Sequence, residues 1–423
     1  MELTKYKLGD IATIYDGPHA TPKRTDNGPV YLGIDAITED CKINPNEFTF
    51  LSEDDYKIWT KRVVPQFKDI VFSYEATLGR YAIIPGNFYG CLGRRLGIIR
   101  VKSDAVDYKW LYYFFQSPQW KCYIKNHIIK GSTVNRISVD EMPGYEIPAC
   151  GIADQKKIAT VLSALDDKIA LNKKMNQKLE AMAKRLYDYW FVQYDFPDKN
   201  GHPYKTTGGP MTYNPTLKRE IPVGWEVKTL KECIKHINTG LNPRDNFVLG
   251  NGDIKYVTVK NLTMEGNIDF SGCDFIDEDA LKKVHKRSDI AKGDVLYASI
   301  CPLGRSYLIN KDPVGWDINE SVFSIRPNLD VISSEFLSVF LKDSAVVEKA
   351  SKMATGSIFK GIRIKELENM ILAVPVKDVM EKFSKQIKNL IELEHKNTEQ
   401  IAHLTALRDK LLPLLMNGQV VVD

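Results

Sequence analysis

Two stretches of this chain carry nearly the same text. FKDIVFSYEATLGRYAIIP fills residues 67–85 and AKGDVLYASICPLGRSYLI fills residues 291–309. At an offset of 225 residues Asp69 falls on Asp294, and Leu78-Gly79-Arg80 falls on Leu303-Gly304-Arg305. Ile70, Val71 and Phe72 fall on Val295, Leu296 and Tyr297, which reads as one buried strand used twice. The same offset lays VYLGIDAI (residues 30–37) on KYVTVKNL (residues 255–262). It also lays KGSTVNRISVDEMPGYEIP, from Lys130, along TGSIFKGIRIKELENMILAVP, from Thr355. There Gly131-Ser132 meets Gly356-Ser357, Ile137 meets Ile362 and Glu141 meets Glu366. Short strand-turn phrases recur in any α/β chain, but three separated matches at one offset argue for two copies of one domain.

Each copy ends in a long helical pattern. From Asp154 to Phe191 there is no glycine or proline. Seam residues step four and three: Ile158, Leu162, Leu165, Ile169, Asn172, Asn176, Leu179, Ala183, Leu186 and Trp190. The second copy repeats the seam as Phe383, Ile387, Leu390, Glu394, Asn397, Ile401, Leu404, Arg408, Leu411 and Leu415. Pro413 is expected to end or bend this helix near its last turn. Helices of this length are about three times the usual, and an amphipathic rod needs a partner. Asn172 and Asn397 occupy the same seam position, so an antiparallel pair is expected to centre on them. That register sets Leu165 by Leu404, Ile158 by Leu411, Leu179 by Leu390 and Leu186 by Phe383. A parallel pair also matches leucines, so the pattern alone leaves the orientation open.

Between the copies, QYDFPDKNGHPYKTTGGPMTYNPTLKREIPVGWEV is dense in Pro, Gly and Asn. It reads as an irregular connection lying against structure. The expected organisation is a first globular domain (1–153), a long helix (154–192), a connector (193–224), a second globular domain (225–377), a second long helix (378–416) and a tail (417–423). The fold class is α/β, mixed α+β, with two repeated domains and two long helices.

The composition is that of an ordinary folded protein: 43% hydrophobic, 26% charged and a net charge of +4. Any basic surface must therefore be local. The seven cysteines are scattered singly, as free thiols in a reducing compartment would be. The N-terminal text MELTKYKLGD has no apolar stretch, and no run approaches the ~18 residues of a membrane span. A cytoplasmic protein is expected.

The motifs of catalysis are missing from the text. There is no G-x-x-x-x-G-K-[ST] loop. An adenine methyltransferase would need a glycine-rich cofactor loop and an Asn-Pro-Pro-aromatic motif; the nearest text, YNPTLK, is a turn in the connector. Glu75 has Ile300 as its counterpart, so no paired-carboxylate nuclease centre stands out. The seven histidines show no metal-ligand spacing. No catalytic residue and no metal site is expected.

Basic residues do sit at glycine-rich turns, where backbone amides can approach phosphate. The first copy offers Lys23, Arg24, Arg80, Arg94, Arg95 and Lys130, and the second Arg244, Lys260, Arg305, Lys352 and Lys360. Tyr15, Tyr74 and Tyr89 are nearby aromatics in the first copy. These basic residues are the DNA-contact candidates. The alternative for any one of them is a solvated charge, or for Arg80 and Arg305 a structural salt bridge. The repeat alone fits nearly as well a scaffold with two ligand-binding domains on a helical dimerisation rod and no DNA.

At this point the text resembles the specificity subunit of type I restriction-modification systems. The domain openings KLGDIATIYDG and GWEVKTLKECI, the repeated strand phrase, the first long helix and the connector all carry the resemblance, which covers essentially the whole chain. It implies two target-recognition domains joined by two antiparallel helices, each domain reading one half of a split DNA sequence. It implies that the helices set the spacing and dock two methyltransferase subunits, and that restriction subunits join the full complex. Catalysis would then belong to the partners: S-adenosylmethionine in the methyltransferase, ATP and Mg in the restriction subunit, and no cofactor in this chain.

Overall fold

The structure, a computed structural model, describes residues 3–131, 133–356 and 360–422. Ser132 and Ser357, matched in the repeat, lie outside the described residues. The chain divides into two compact units, Met1–Ala170 with Ala402–Asp423, and Leu171–Ile401.

The first unit holds a four-stranded antiparallel sheet in the order Ala12–Asp16, Leu96–Val101, Ile70–Ser73, Tyr81–Ile83. A three-stranded sheet sets Thr25–Leu32 between Thr49–Phe50, antiparallel, and Gly90–Leu92, parallel. Thr4–Lys7 pairs with Glu146–Ala149. The second unit repeats this. Its four-stranded sheet runs Ile234–Thr239, Val322–Pro327, Val295–Ala298, Ser306–Leu308. Ile254–Val257 lies between Asp274–Ile276 and Trp316–Ile318, and Glu226–Thr229 pairs with Ile371–Val374.

The repeated strand phrase is apolar throughout because both faces of its sheet are covered. In the first unit Ile70 and Phe72 join one core, with Trp110, Phe115 and Leu162, while Val71 joins another, with Leu32 and Leu92. In the second unit Val295 and Tyr297 face one core and Leu296 and Ala298 the other. The repeated aspartate also has a structural cause. Asp69 accepts from the Gln66 amide at 2.8 Å and from Arg100 Nε at 2.8 Å and Nη2 at 2.7 Å. Asp294 accepts from the Ala291 amide at 2.9 Å and from Arg326 Nε at 2.7 Å and Nη2 at 2.8 Å. Each buried carboxylate closes the turn before its strand and neutralises an arginine on the neighbouring strand.

The long helices run Ile152–Tyr187, followed by a single π turn at Asp188–Val192, and Lys377–Met416. Pro413 sits in the last turn, and the second helix ends three residues beyond it. The portions within each unit pair antiparallel. In the first unit Arg408 Nη1 reaches Asp166 Oδ1 at 2.9 Å, and Ile158 and Leu162 share a core with Leu412, Leu415 and Met416. In the second unit Leu186 and Leu390 pack on the core that holds Phe383 and Ile387.

The positions spaced four and three apart, Ile158 to Trp190 and Phe383 to Leu415, are buried or half-buried, and the register differs from the expected one. Asn397 Nδ2 donates to Asn176 Oδ1 at 2.9 Å, and Asn172 Nδ2 donates to Gln400 Oε1 at 3.1 Å. The pairing has slipped by about one turn from the expected Asn172–Asn397 match. Polar satisfaction accounts for it. In the observed register Asn176 Nδ2 also reaches the Glu394 carbonyl at 3.3 Å and Thr398 Oγ1 at 3.1 Å, so the buried amides find partners. Leucine matching is nearly degenerate from one turn to the next; amide hydrogen bonding is not.

The connector lies against the second unit. Phe196 stacks on Trp225 with ring centroids 5.3 Å apart, and Met211–Asn214 pairs with Arg219–Pro222.

Candidate nucleic-acid interface

In each unit several loops are woven together at one end of the four-stranded sheet. In the first unit the Gly17 amide donates to Leu96 O at 3.0 Å, the Tyr74 amide to Arg95 O at 3.2 Å, and the Ile137 amide to Tyr74 O at 2.8 Å. Glu75 bridges to Arg136. In the second unit the Gly240 amide donates to Asn319 O at 3.2 Å, the Ser299 amide to Ser321 O at 3.0 Å, and the Ile362 amide to Ser299 O at 2.8 Å. Ile300 bridges to Gly361. One backbone framework thus presents two different sets of side chains.

In the first unit this framework gathers cations. The Arg24 guanidinium lies 6.0 Å from the Tyr31 ring centroid, and the Arg94 amide donates to the Tyr31 hydroxyl at 3.0 Å. Arg95, at φ 71°, meets Glu75 Oε1 at 3.0 Å through Nε. A left-handed backbone at a non-glycine residue costs energy and serves here to direct the side chain. Lys23 and Arg24 are exposed on the loop before Thr25–Leu32, and Lys130 follows the short strand Ile128–Ile129, which pairs with Arg136–Ile137. Asp16 Oδ2 holds His19 Nε2 at 2.8 Å and Arg62 Nη1 at 3.8 Å. Burial first, and then Asp16, push the Tyr74 hydroxyl well above its ordinary pKa.

The second unit presents fewer cations on the same frame. Arg244 is exposed in the loop after Ile234–Thr239. Lys360 is exposed, and its carbonyl accepts from the Cys301 amide at 2.9 Å. Glu320 and Ser321 stand between Trp316–Ile318 and Val322–Pro327, where the first unit has Arg94 and Arg95. Tyr256, the counterpart of Tyr31, donates to Leu241 O at 2.5 Å.

Other predicted candidates are engaged differently. Arg80 donates to Ile37 O at 2.9 Å and to Glu39 Oε1 at 3.2 Å. Its counterpart Arg305 donates to Val259 O at 2.6 Å, Pro302 O at 3.1 Å and Ile300 O at 3.3 Å. Both guanidiniums are occupied in holding loops, and both follow a glycine of positive φ, Gly79 (78°) and Gly304 (93°). Lys260 is exposed on the loop that Arg305 holds, and Lys352 is paired with Glu348 at 2.6 Å on helix Ser344–Met353. Of the predicted aromatics, Tyr74 is buried, Tyr15 lies under Arg100 and Tyr89 bonds Glu53. Sequence reasoning missed Tyr31, Arg62 and Arg136. Tyr31 and Tyr256 carried a usable signal, since both fall in the matched phrases VYLGIDAI and KYVTVKNL.

Two copies of a loop-presenting α/β domain, each unit including part of an antiparallel helix pair, define a recognition protein built by internal repetition. The family model described as the type I restriction modification DNA specificity domain matches residues 2–181 and again 222–403, and the chain belongs to that family. It is thus a non-catalytic DNA-specificity subunit of a type I restriction-modification complex. The type I restriction enzyme MjaIX specificity subunit of Methanocaldococcus jannaschii is 31% identical, over 76% of this chain and 71% of that protein. The MjaVIII specificity subunit of the same organism is 24% identical over 86% of this chain and 82% of that one. The crystal structure of the type I system S subunit from M. genitalium shares the fold, with a TM-score of 0.58 at 18% identity, covering 98% of this chain and 96% of that one. Among the described residues no group of three or more His, Cys, Asp or Glu could hold a metal ion, and no helix is long and apolar enough to cross a membrane.

Proposed function

We propose that each unit reads one half of a split double-stranded DNA target through its woven loop end. The observation that carries this is the pairing of one backbone framework with two side-chain sets: Arg94-Arg95 in one unit, Glu320-Ser321 in the other. Exposed cations on the frame, Lys23, Arg24, Arg94, Lys130, Arg244 and Lys360, contact phosphate or base edges in the major groove. The two long helices act as the spacer and carry two methyltransferase subunits. Those subunits bind S-adenosylmethionine and methylate an adenine taken out of the stack. Restriction subunits using ATP and Mg join the same complex, which works in the cytoplasm.

The domains, taken as 1–153 and 225–377, are independent readers. The test exchanges residues 1–153 for the matching part of a relative, expresses the hybrid with the methyltransferase, and maps methylated adenines across a genome. One half of the target should change and the other should remain. A change in both halves would refute independent reading.

A further inference from the structure

Asn319, Glu320 and Ser321 join Trp316–Ile318 to Val322–Pro327 in the second unit. The backbone on either side of Glu320 is tied down. The Asn319 amide donates to Val257 O at 2.8 Å, and its carbonyl accepts from the Gly240 amide at 3.2 Å. The Ser321 amide donates to Asn319 Oδ1 at 3.1 Å. The Ser321 carbonyl accepts from the Ser299 amide at 3.0 Å and from the Ser299 hydroxyl at 2.7 Å. Only glycine fits at position 240, since a Cβ there would collide with the Ile318 carbonyl. Such a frame fixes the point from which the Glu320 side chain starts, as a residue that reads geometry requires.

The strand registers give Glu320 a counterpart. Leu32 pairs with Leu92 as Val257 pairs with Ile318, and Ser73 pairs with Leu96 as Ala298 pairs with Val322. Counting on from the first match and back from the second sets Glu320 on Arg94 both times. One repeat presents a cation at this place and the other an anion. A carboxylate is repelled by phosphate, so Glu320 does not take the backbone-contacting role of the cations. It also lacks a donor. Its Oε2 is enclosed and accepts no hydrogen bond from a described residue. The Tyr256 hydroxyl gives its only proton to Leu241 O at 2.5 Å, and burial first, then Glu320, push that hydroxyl above its ordinary pKa. An orphaned carboxylate oxygen is costly until a donor reaches it. Glu320 is only half-buried, so a rotation of its side chain brings the carboxylate out to a donor on a ligand.

We propose that Glu320 is a base-reading residue of the second unit and that it selects cytosine, accepting a hydrogen bond from the N4 amino group. The assignment rests on the reading that each unit recognises one half of the DNA target. The choice of base follows from the edges that the major groove displays. Guanine shows two acceptors there, thymine an acceptor and a methyl group, and adenine an acceptor beside its amino group. Cytosine shows its amino donor alone, which is the edge that suits an ionised carboxylate with no hydrogen to give.

The test maps methylated adenines for the full chain expressed with its methyltransferase, as wild type, Glu320→Ala and Glu320→Gln. The exchange of residues 1–153 first identifies the half-site that the second unit reads. In that half Glu320→Ala should relax one cytosine position, lowering the preference for cytosine at least about fivefold, with every other position of the target unchanged. Glu320→Gln should move that position toward adenine, because a carboxamide can pair with N6 and N7 together. The Tm of neither purified variant should fall. An unchanged cytosine preference in both variants would overturn the assignment. So would tighter binding to all DNA with the same target, the mark of a merely repulsive charge, or a uniform loss of methylation with a lower Tm, the mark of a structural one. If the exchange itself alters both halves, independent reading fails before any Glu320 variant is compared, and the assignment falls with it.

Discussion

Arg408 Nη1 lies 2.9 Å from Asp166 Oδ1, and this ion pair ties the two long helices together in the first unit. Asp166 is only 6% exposed, and Lys42 at 2.6 Å and the Tyr113 hydroxyl at 2.9 Å complete its shell. The carboxylate thus binds the recognition domain to one helix and the two helices to each other. A buried carboxylate is tolerable only because it is surrounded by donors.

Removing one donor should be costly. Arg408→Met should destabilise the first unit by about 3 kcal/mol, the low end for breaking a buried pair, since Lys42 and Tyr113 remain. Burial raises the Asp166 pKa, but Lys42, Arg408 and Tyr113 outweigh it and hold the carboxyl below its ordinary value. A depressed carboxyl contributes stability above its unfolded pKa and loses it as pH falls through the folded one. The difference between wild type and Arg408→Met should therefore persist from pH 5 to 8 and shrink toward pH 3. Urea midpoints across that range measure it.

The register has a direct test. Asn176→Cys with Asn397→Cys should crosslink on oxidation, because the native amides meet at 2.9 Å. Asn172→Cys with Asn397→Cys should crosslink poorly. Single variants on non-reducing gels control for the native thiols, of which Cys122 is exposed.

Exposed and occupied arginines should behave differently. In the assembled complex Arg94→Glu should weaken DNA binding and lower the salt slope by about one for each phosphate that is no longer neutralised. It should leave the Tm within a degree or two. Arg305→Ala should do the reverse, because three backbone carbonyls lose their donor. Filter binding at several salt concentrations, with melting curves on the same samples, separates the two.

Much of the fold was legible because the repeat doubled each signal. Asp69 and Asp294 marked equivalent turns, and the glycines of Leu78-Gly79-Arg80 and Leu303-Gly304-Arg305 marked equivalent left-handed positions. The seams were legible as well, since burial follows the heptad. The register was not, because it depends on which amide side chains satisfy one another across two helices. The loop end was legible only in part. Arg94 and Arg95 stood out as a basic pair, but that Arg80 points inward to Ile37 O depends on a loop 43 residues away in sequence. Tyr31 became visible as a centre only when Arg24 and Arg94 were brought to it by the fold.

Glu394, buried on the second long helix, carries the opposite pH dependence. Its folded pKa, about 7, lies above the ordinary 4.5. The sign is the opposite of that for Asp166. Below pH 4.5 both states hold the proton and the group is neutral with respect to folding. Between 4.5 and 7 the unfolded chain releases the proton and the folded chain keeps it, so stability falls as pH rises. Glu394→Gln removes that titration while keeping the shape. The variant should match wild type near pH 4.5 and exceed it at pH 8, by an amount of order 2 kcal/mol. Denaturant midpoints at the two pH values decide it. A variant less stable than wild type at pH 8 would mean that the Glu394 charge is already compensated, with Lys342 as its partner.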